Sequence, residues 1–223
     1  MLIDVVTIFP NMFAPVIGES IIKRGVNKGL VRINVHDLRN YSDDPHKKID
    51  APSYGGGGMV FTPQPLFSAV SALKGENARV VLMSPQGKTL NQKMVRSFLK
   101  CDQLVIIAPR YEGVDERVRE HIIDDEVSIG DYVLSGGELP AMVFIDTIVR
   151  LIPGVVSDAD SVAKESFEEG LLDYPHYTWP QDFQGYKVPE VLTNGDHKKI
   201  TEWRRNKALE VTKKLRPDLL GGK

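Results

Sequence analysis

Three stretches concentrate the residue types that can grip a small ligand. They are Ser84-Pro85-Gln86-Gly87-Lys88, Pro109-Arg110-Tyr111-Glu112-Gly113-Val114-Asp115-Glu116-Arg117, and Ile129-Gly130-Asp131-Tyr132-Val133-Leu134-Ser135-Gly136-Gly137-Glu138-Leu139-Pro140. Each mixes glycine or proline with polar side chains, which lets backbone N–H and C=O groups come close to a bound molecule. In the third, Gly136-Gly137 permits positive φ and close backbone approach. Glu138-Leu139-Pro140 suits the first turn of a helix, where an acid and a proline are both favoured. A strand, a glycine turn and a helix N-terminus together suit a phosphate or nucleotide. The spacing is neither a dinucleotide fingerprint nor a P-loop. Taken alone, the stretch reads equally well as a tight connection between elements. A further run, Tyr54 to Met59, holds four consecutive glycines, which packing does not call for. It suits a flexible loop or close approach to a ligand.

These stretches need a scaffold. Four β-branched apolar runs supply it: Leu2–Ile8, Leu30–Val35, Arg79–Met83 and Gln103–Ala108. Segments of helical period lie between them, over 20–28, 62–73, 90–99 and 115–121, and another follows Pro140. Alternation of nearly all-apolar strands with helices predicts an α/β fold, a mostly parallel sheet covered on both faces. Ligands in such sheets gather at the carboxyl ends of the strands. The spacing predicts a turn and then a helix after the third strand, at Ser84–Lys88.

Composition narrows the function classes. The chain has 223 residues, 42% hydrophobic and 26% charged, enough for a sizeable core. A net charge of −2 gives no global sign of nucleic-acid binding, so such a role must rest on local patches. One cysteine, Cys101, excludes an intrachain disulfide and a cysteine zinc site, and the five histidines are scattered. No metal site is expected. No signal peptide or membrane span is legible, so a cytoplasmic protein is expected.

The character changes after Pro153-Gly154. Residues 156–164 are small and polar and read as a linker. Residues 171–189 are rich in aromatics and proline. The tail from Asp196 to Arg216 has helical period and carries eight Lys/Arg against three acids. Such a run is either a solvated helix face or a face that meets phosphates. The expected organisation is a domain over 1–156, a linker over 157–168 and a helical domain over 169–223.

Several segments together resemble one family, the bacterial tRNA (guanine-N1)-methyltransferases that modify position 37, next to the anticodon. The matching residues are Ile8–Phe13, Tyr54–Gly57, Ser84–Gly87, Arg110–Arg117, Ser128–Pro140, Arg150–Val155, Ser166-Phe167, Gly170–Leu172, Pro175–Thr178 and Trp203-Arg204. The resemblance implies a SPOUT-type sheet with a deep trefoil knot, which general fold rules alone exclude as a rarity. It implies S-adenosylmethionine as methyl donor, tRNA bearing guanosine at position 37 as substrate, and a homodimer with its site at the subunit interface. It also associates activity with Mg²⁺, although no dedicated cluster is visible.

On that resemblance the cofactor pocket comprises Ser84, Pro85, Gln86, Pro109, Tyr111, Glu112, Gly113, Ile129, Gly130, Asp131, Tyr132, Val133, Leu134, Gly136, Gly137, Leu139 and Pro140. Guanine N1 bears a proton and is a poor nucleophile until that proton leaves, and a carboxylate within hydrogen-bond reach can act as base. A cation near O6 would stabilise the charge that develops there. Glu165 occupies the position of the family's aspartate base, one methylene longer, with Asp173 in reserve. Arg150 matches the catalytic arginine. Pro109 stands where the family usually has glycine, and Trp179 where an arginine is common. Two other readings compete: a non-catalytic RNA- or cofactor-binding relative, and a SPOUT enzyme with another RNA target.

Overall fold

The computed structural model describes residues 1–156 and 165–221. The chain forms two compact units, Met1–Ser157 and Asp158–Lys223. Residues 157–164 of the expected linker lie outside the described residues.

The first unit is built on a five-stranded sheet. Its strands are β1 (Leu2–Thr7), β2 (Arg32–Asp37), β5 (Ala78–Thr89), β6 (Gln103–Ile107) and β7 (Asp125–Ser128), in the order β2-β1-β6-β5-β7. Every pairing is parallel. Helices connect the strands: α1 (Ala14–Ile17), α2 (Ser20–Asn27), α3 (Pro63–Leu73), α4 (Gln92–Phe98), α5 (Glu116–Ile122) and α6 (Glu138–Val149). A small antiparallel pair, β3 (Asp50–Pro52) and β4 (Met59–Phe61), brackets the glycine run.

The all-apolar strands are explained by burial on both sides. All five residues of β6 are buried. On one face Val6, Val80, Leu82, Val105 and Ile107 meet Leu66, Ala69 and Val70 of α3 and Val118 of α5. The alternate residues, Ile3, Val5, Val81 and Ile106, are also fully buried, and helices α2 and α4 each pack against α6. Phe98 of α4 meets Phe144 of α6 edge to face, 5.0 Å between centroids. Helix starts follow local chemistry: the Asn91 side chain accepts from Met94 N–H, and Asp115 from Arg117 N–H. A charged side chain, Asp4, sits deep in the sheet. Asp4 is satisfied there by Asn34 (2.8 Å), His36 (2.8 Å) and Gln103 (2.7 Å), which ties β1 to its neighbours on both sides.

One expectation fails. Ser84–Lys88 is not a turn leading into a helix but lies within β5. The ladder to β7 breaks at Met83 and resumes at Lys88, both opposite Val127, so residues 84–87 bulge outward between them. Gly87 permits this, because a Cβ there would lie 2.4 Å from Val127 N. The helix begins only after the Asn91 cap.

In the second unit, α7 (His197–Leu215) is the one long helix among the described residues. Beside it stand the two-residue strands β8 (Asp182–Phe183) and β9 (Tyr186–Lys187). Thr212 is buried and joins α7 to the preceding segment, accepting from Leu172 N–H at 2.9 Å.

Phe144 is fully buried, so Phe144→Ala should remove about 3–5 kcal/mol of stability in urea unfolding. A loss under about 1 kcal/mol would show that α6 is not locked to α4 as described.

Candidate functional site

The cavity lies at the carboxyl end of the sheet. The β5 bulge contributes Ser84, Pro85 and Gln86. The segment after β6 contributes Pro109 to Val114, and the segment after β7 contributes Ile129, Gly130, Tyr132, Val133, Leu134, Gly136 and Gly137. Pro140 of α6 completes the wall. The volume is about 290 Å³, near the ~300 Å³ lower bound for small-molecule pockets.

A buried carboxylate organises this region. Glu138 is 1% exposed. Its Oε1 accepts from Thr7 Oγ1 at 2.9 Å and its Oε2 from Arg110 Nε at 2.9 Å. Thr7 Oγ1 in turn accepts from Phe9 N–H at 3.0 Å. The Arg110 guanidinium lies over the Phe9 ring, 4.6 Å from its centroid. The end of β1, the segment after β6 and the start of α6 are thereby held at one point.

The glycine pair serves the close backbone approach that was expected of it, without positive φ. Neither Gly136 nor Gly137 has positive φ. What matters is that neither has a Cβ. One at Gly136 would lie 2.4 Å from Arg110 Nε, and one at Gly137 2.8 Å from Ala108 Cα. Gly137 N–H donates to Pro109 C=O at 2.7 Å, and Arg110 bridges Gly136. The chain at 136–137 therefore runs directly against the backbone at 108–110. Proline at 109 is compatible because this contact uses its carbonyl.

The Arg110–Val114 wall is set by the hairpin. Glu112 N–H donates to Met59 C=O, Phe61 N–H to Gly113 C=O and Asp115 N–H to Phe61 C=O, each at 3.0 Å. Tyr111 is held at φ +60° between these bonds, a conformation costing roughly 1–3 kcal/mol that its surroundings must impose. Its ring meets Phe61 edge-on at 5.8 Å. Gly58 passes so near Glu112 that a Cβ would lie 2.9 Å from Glu112 Cγ. Beyond this wall, hydrogen bonds from the Arg117 side chain at 2.8 Å hold the Asp115 carboxyl below its ordinary pKa.

Two expected residues, Asp131 and Leu139, do not line the cavity. Both flank residues that do. Leu139 is instead half exposed on α6. Sequence reasoning missed Leu82, Met83, Val114, Arg119, Val127 and Ser128. Arg119 donates to Gln86 Oε1 and pairs with Glu126 at 2.7 Å, bracing the bulge. It lies on a helix with no motif to mark it.

The other candidates lie elsewhere. Arg150 is the C-cap of α6, about 18 Å along the axis from Glu138 at the usual helical rise. A cation is favoured at that helix end. Glu165 and Asp173 belong to the second unit and share one tight segment. Asp173 N–H donates to Ser166 Oγ at 2.9 Å, and its carboxylate accepts from Tyr174 N–H and pairs with His176 at 2.9 Å. Among the described residues no group of three or more His, Cys, Asp or Glu is placed to hold a metal, and no helix is long and apolar enough to cross a membrane.

A parallel α/β sheet whose strand-end segments close over a small cavity defines a small-ligand-binding α/β protein. Residues 1–222 match the family model described as tRNA (Guanine-1)-methyltransferase TrmD, and the chain belongs to that family. A tRNA (guanine-N(1)-)-methyltransferase of Dictyoglomus turgidum is 53% identical over 219 residues, 98% of this chain and 89% of that one. One from Dehalococcoides mccartyi is 51% identical over 99% of this chain and 90% of its own. One from Clostridioides difficile is 46% identical over 98% and 97%.

Arg110→Ala should cost roughly 3–5 kcal/mol, because it strands the buried Glu138 charge. Arg110→Ala/Glu138→Gln should recover part of that loss. Thermal unfolding of the single and double variants checks this, and additive losses would refute the coupling.

Proposed function

We propose that this chain transfers a methyl group from S-adenosylmethionine to N1 of guanosine at position 37 of tRNA, acting in the cytoplasm. The observation that carries the reading is the convergence of three separate segments on one cavity in a chain that matches the family along its length.

The cavity suits the donor. Its volume admits a compact, bent ligand, its walls alternate apolar side chains with glycine backbone, and Glu112 offers one carboxylate to a cationic group. Ser84, Gln86, Pro109, Tyr111, Gly113, Gly130, Tyr132 to Leu134 and Gly137 would hold it, with Glu112 facing its charged end. When bound, it supplies an electrophilic methyl group and departs as a neutral thioether. The protein needs no nucleophile of its own, only alignment.

Glu165 accepts the N1 proton, so that the N1 lone pair can attack the methyl carbon. Arg150 stabilises the negative charge that gathers on guanine O6. The target base leaves its stack to reach them. The basic face of α7 holds phosphates while base contacts select the guanine.

Arg150 stands at the far end of α6 from the cavity, which favours a homodimer with the site shared between copies. Tyr132 and Val133 at the rim, with Leu139 and Val143 one turn apart on α6, are exposed apolar side chains of the kind an interface covers. The passage of Gly136-Gly137 against 108–110 supports a trefoil knot. The same segment lines the cavity, so threading and cofactor binding use one backbone path.

Labelled S-adenosylmethionine should mark transcripts with guanosine at position 37 and not those with adenosine, and equal labelling would reject the reading. Glu165→Gln should lower kcat by about 10²-fold or more while cofactor affinity stays within about twofold by calorimetry. Undiminished kcat would move the base to another carboxylate, Asp173 first. Arg150→Ala should reduce kcat by about 10²-fold with little change in cofactor affinity. Loss of folding or dimerisation in its place would make Arg150 structural.

A further inference from the structure

The second unit contains its own cavity, of about 470 Å³, apart from the methyl-donor site. Its wall is aromatic: Tyr174, His176, Tyr177, Trp179 and Trp203 all line it, together with Arg204. The rings are arranged in pairs. Tyr174 and His176 stand 4.7 Å apart, and Tyr177 and Trp203 6.3 Å apart. The Arg204 guanidinium lies over Tyr174 at 4.9 Å. Asp173 binds His176 at 2.9 Å and fixes that ring.

Two features distinguish this cluster from an ordinary core. Trp179 is 87% exposed and Tyr177 50% exposed, so large flat faces stand in water. The helix that supplies Trp203 and Arg204 also carries Lys198, Lys199, Arg205 and Lys207. Exposed aromatic faces on a unit whose long helix is rich in cations, two of them (Lys199 and Lys207) ion-paired on the helix, suit a flat ring that carries a phosphate, and single-stranded nucleic acid is bound by that combination.

We propose that this cavity receives one unpaired base of the substrate RNA, other than the guanine that is methylated, stacked on Trp179 and its neighbours. The inference rests on the reading of tRNA as the substrate and adds a second point of grip on the same molecule. Trp179 forms one exposed face of the platform, Arg204 and Tyr174 form the opposing wall, and the α7 lysines meet the flanking phosphates. Two points of grip would hold the anticodon loop open while the target base is extruded.

The test uses the full-length protein and an anticodon stem-loop RNA. Only Trp179 and Trp203 contribute indole fluorescence, and both line the cavity. The RNA should quench that emission, and replacing one particular loop nucleotide with an abasic residue should abolish most of the quenching. Trp179→Ala should raise the RNA Kd about tenfold, with Trp179→Phe restoring most of the affinity. The abasic RNA should bind Trp179→Ala no more weakly than the intact RNA does. The loss should persist at high salt, where phosphate contacts fade.

A Trp179→Ala Kd within twofold of the unaltered protein overturns the proposal. So do independent, additive losses from the variant and the abasic RNA. Quenching by free nucleotide with none by RNA would assign the cavity to a small molecule and overturn it equally. Because Trp179 is solvent-exposed, its removal leaves the fold intact, and unfolding temperature checks this. Methyl transfer by the unaltered protein is measured in parallel. Its absence would overturn the methyltransferase reading while the quenching result still decides this one.

Discussion

The buried carboxylate of Glu138 is the constraint on which the first unit turns. A lone charge in that position would cost several kcal/mol, so it must be fully partnered. Its partners are Thr7 and Arg110, 131 and 28 residues away along the chain. One side chain therefore fixes the end of β1, the exit of β6 and the entry of α6 against one another. The cavity lies among these ends and inherits their rigidity. Gly136 follows from the same requirement: with Glu138 and Arg110 bonded beside it, position 136 has no room for a side chain.

The remaining walls are fixed by backbone rather than by charge. The β3–β4 hairpin lends β4 as a partner to the segment after β6, holding Tyr111 in a conformation it would not adopt alone. The four glycines of the hairpin turn all have positive φ. Only Gly58 is also required by close approach, where it passes Glu112; nothing crowds Gly55 or Gly56. The opposite wall, the β5 bulge, is braced by Arg119. A ligand site with this much prior organisation loses little entropy on binding.

The two units divide the physical tasks. The first lines its cavity with Arg110 and Arg119, each paired with a carboxylate, Glu138 and Glu126. The second gathers basic residues on α7 and leaves aromatic faces in water. A near-neutral total charge conceals this local basic run on α7. Pairing Arg110 and Arg119 with carboxylates keeps the cavity from presenting uncompensated positive charge, which would oppose a cationic ligand.

Periodicity and punctuation alone were enough to read the parallel α/β class, the four principal strands and most helix bounds. Burial on both faces leaves a near-continuous apolar signature in Leu2–Thr7 and Gln103–Ile107 that any parallel sheet must share. The three ligand stretches were legible too, because glycine and proline mark strained backbone wherever it occurs. The family followed from ordered motifs spread over the whole length. Other features were decided only in three dimensions. Ser84–Gly87 looks like a turn into a helix, yet it bulges within a strand, because whether Gly87 meets β7 is a matter of pairing and not of local propensity. Glu138 reads as a helix-start acid, and nothing near it in sequence announces Thr7 or Arg110. Arg119 carries no motif, and nothing in the sequence separates Asp131, which is outside the cavity lining, from Gly130 and Tyr132, which are in it. Local sequence sets the conformations that are available. Contacts between residues far apart in the chain, which depend on packing and on the need to pair buried charge, select among them.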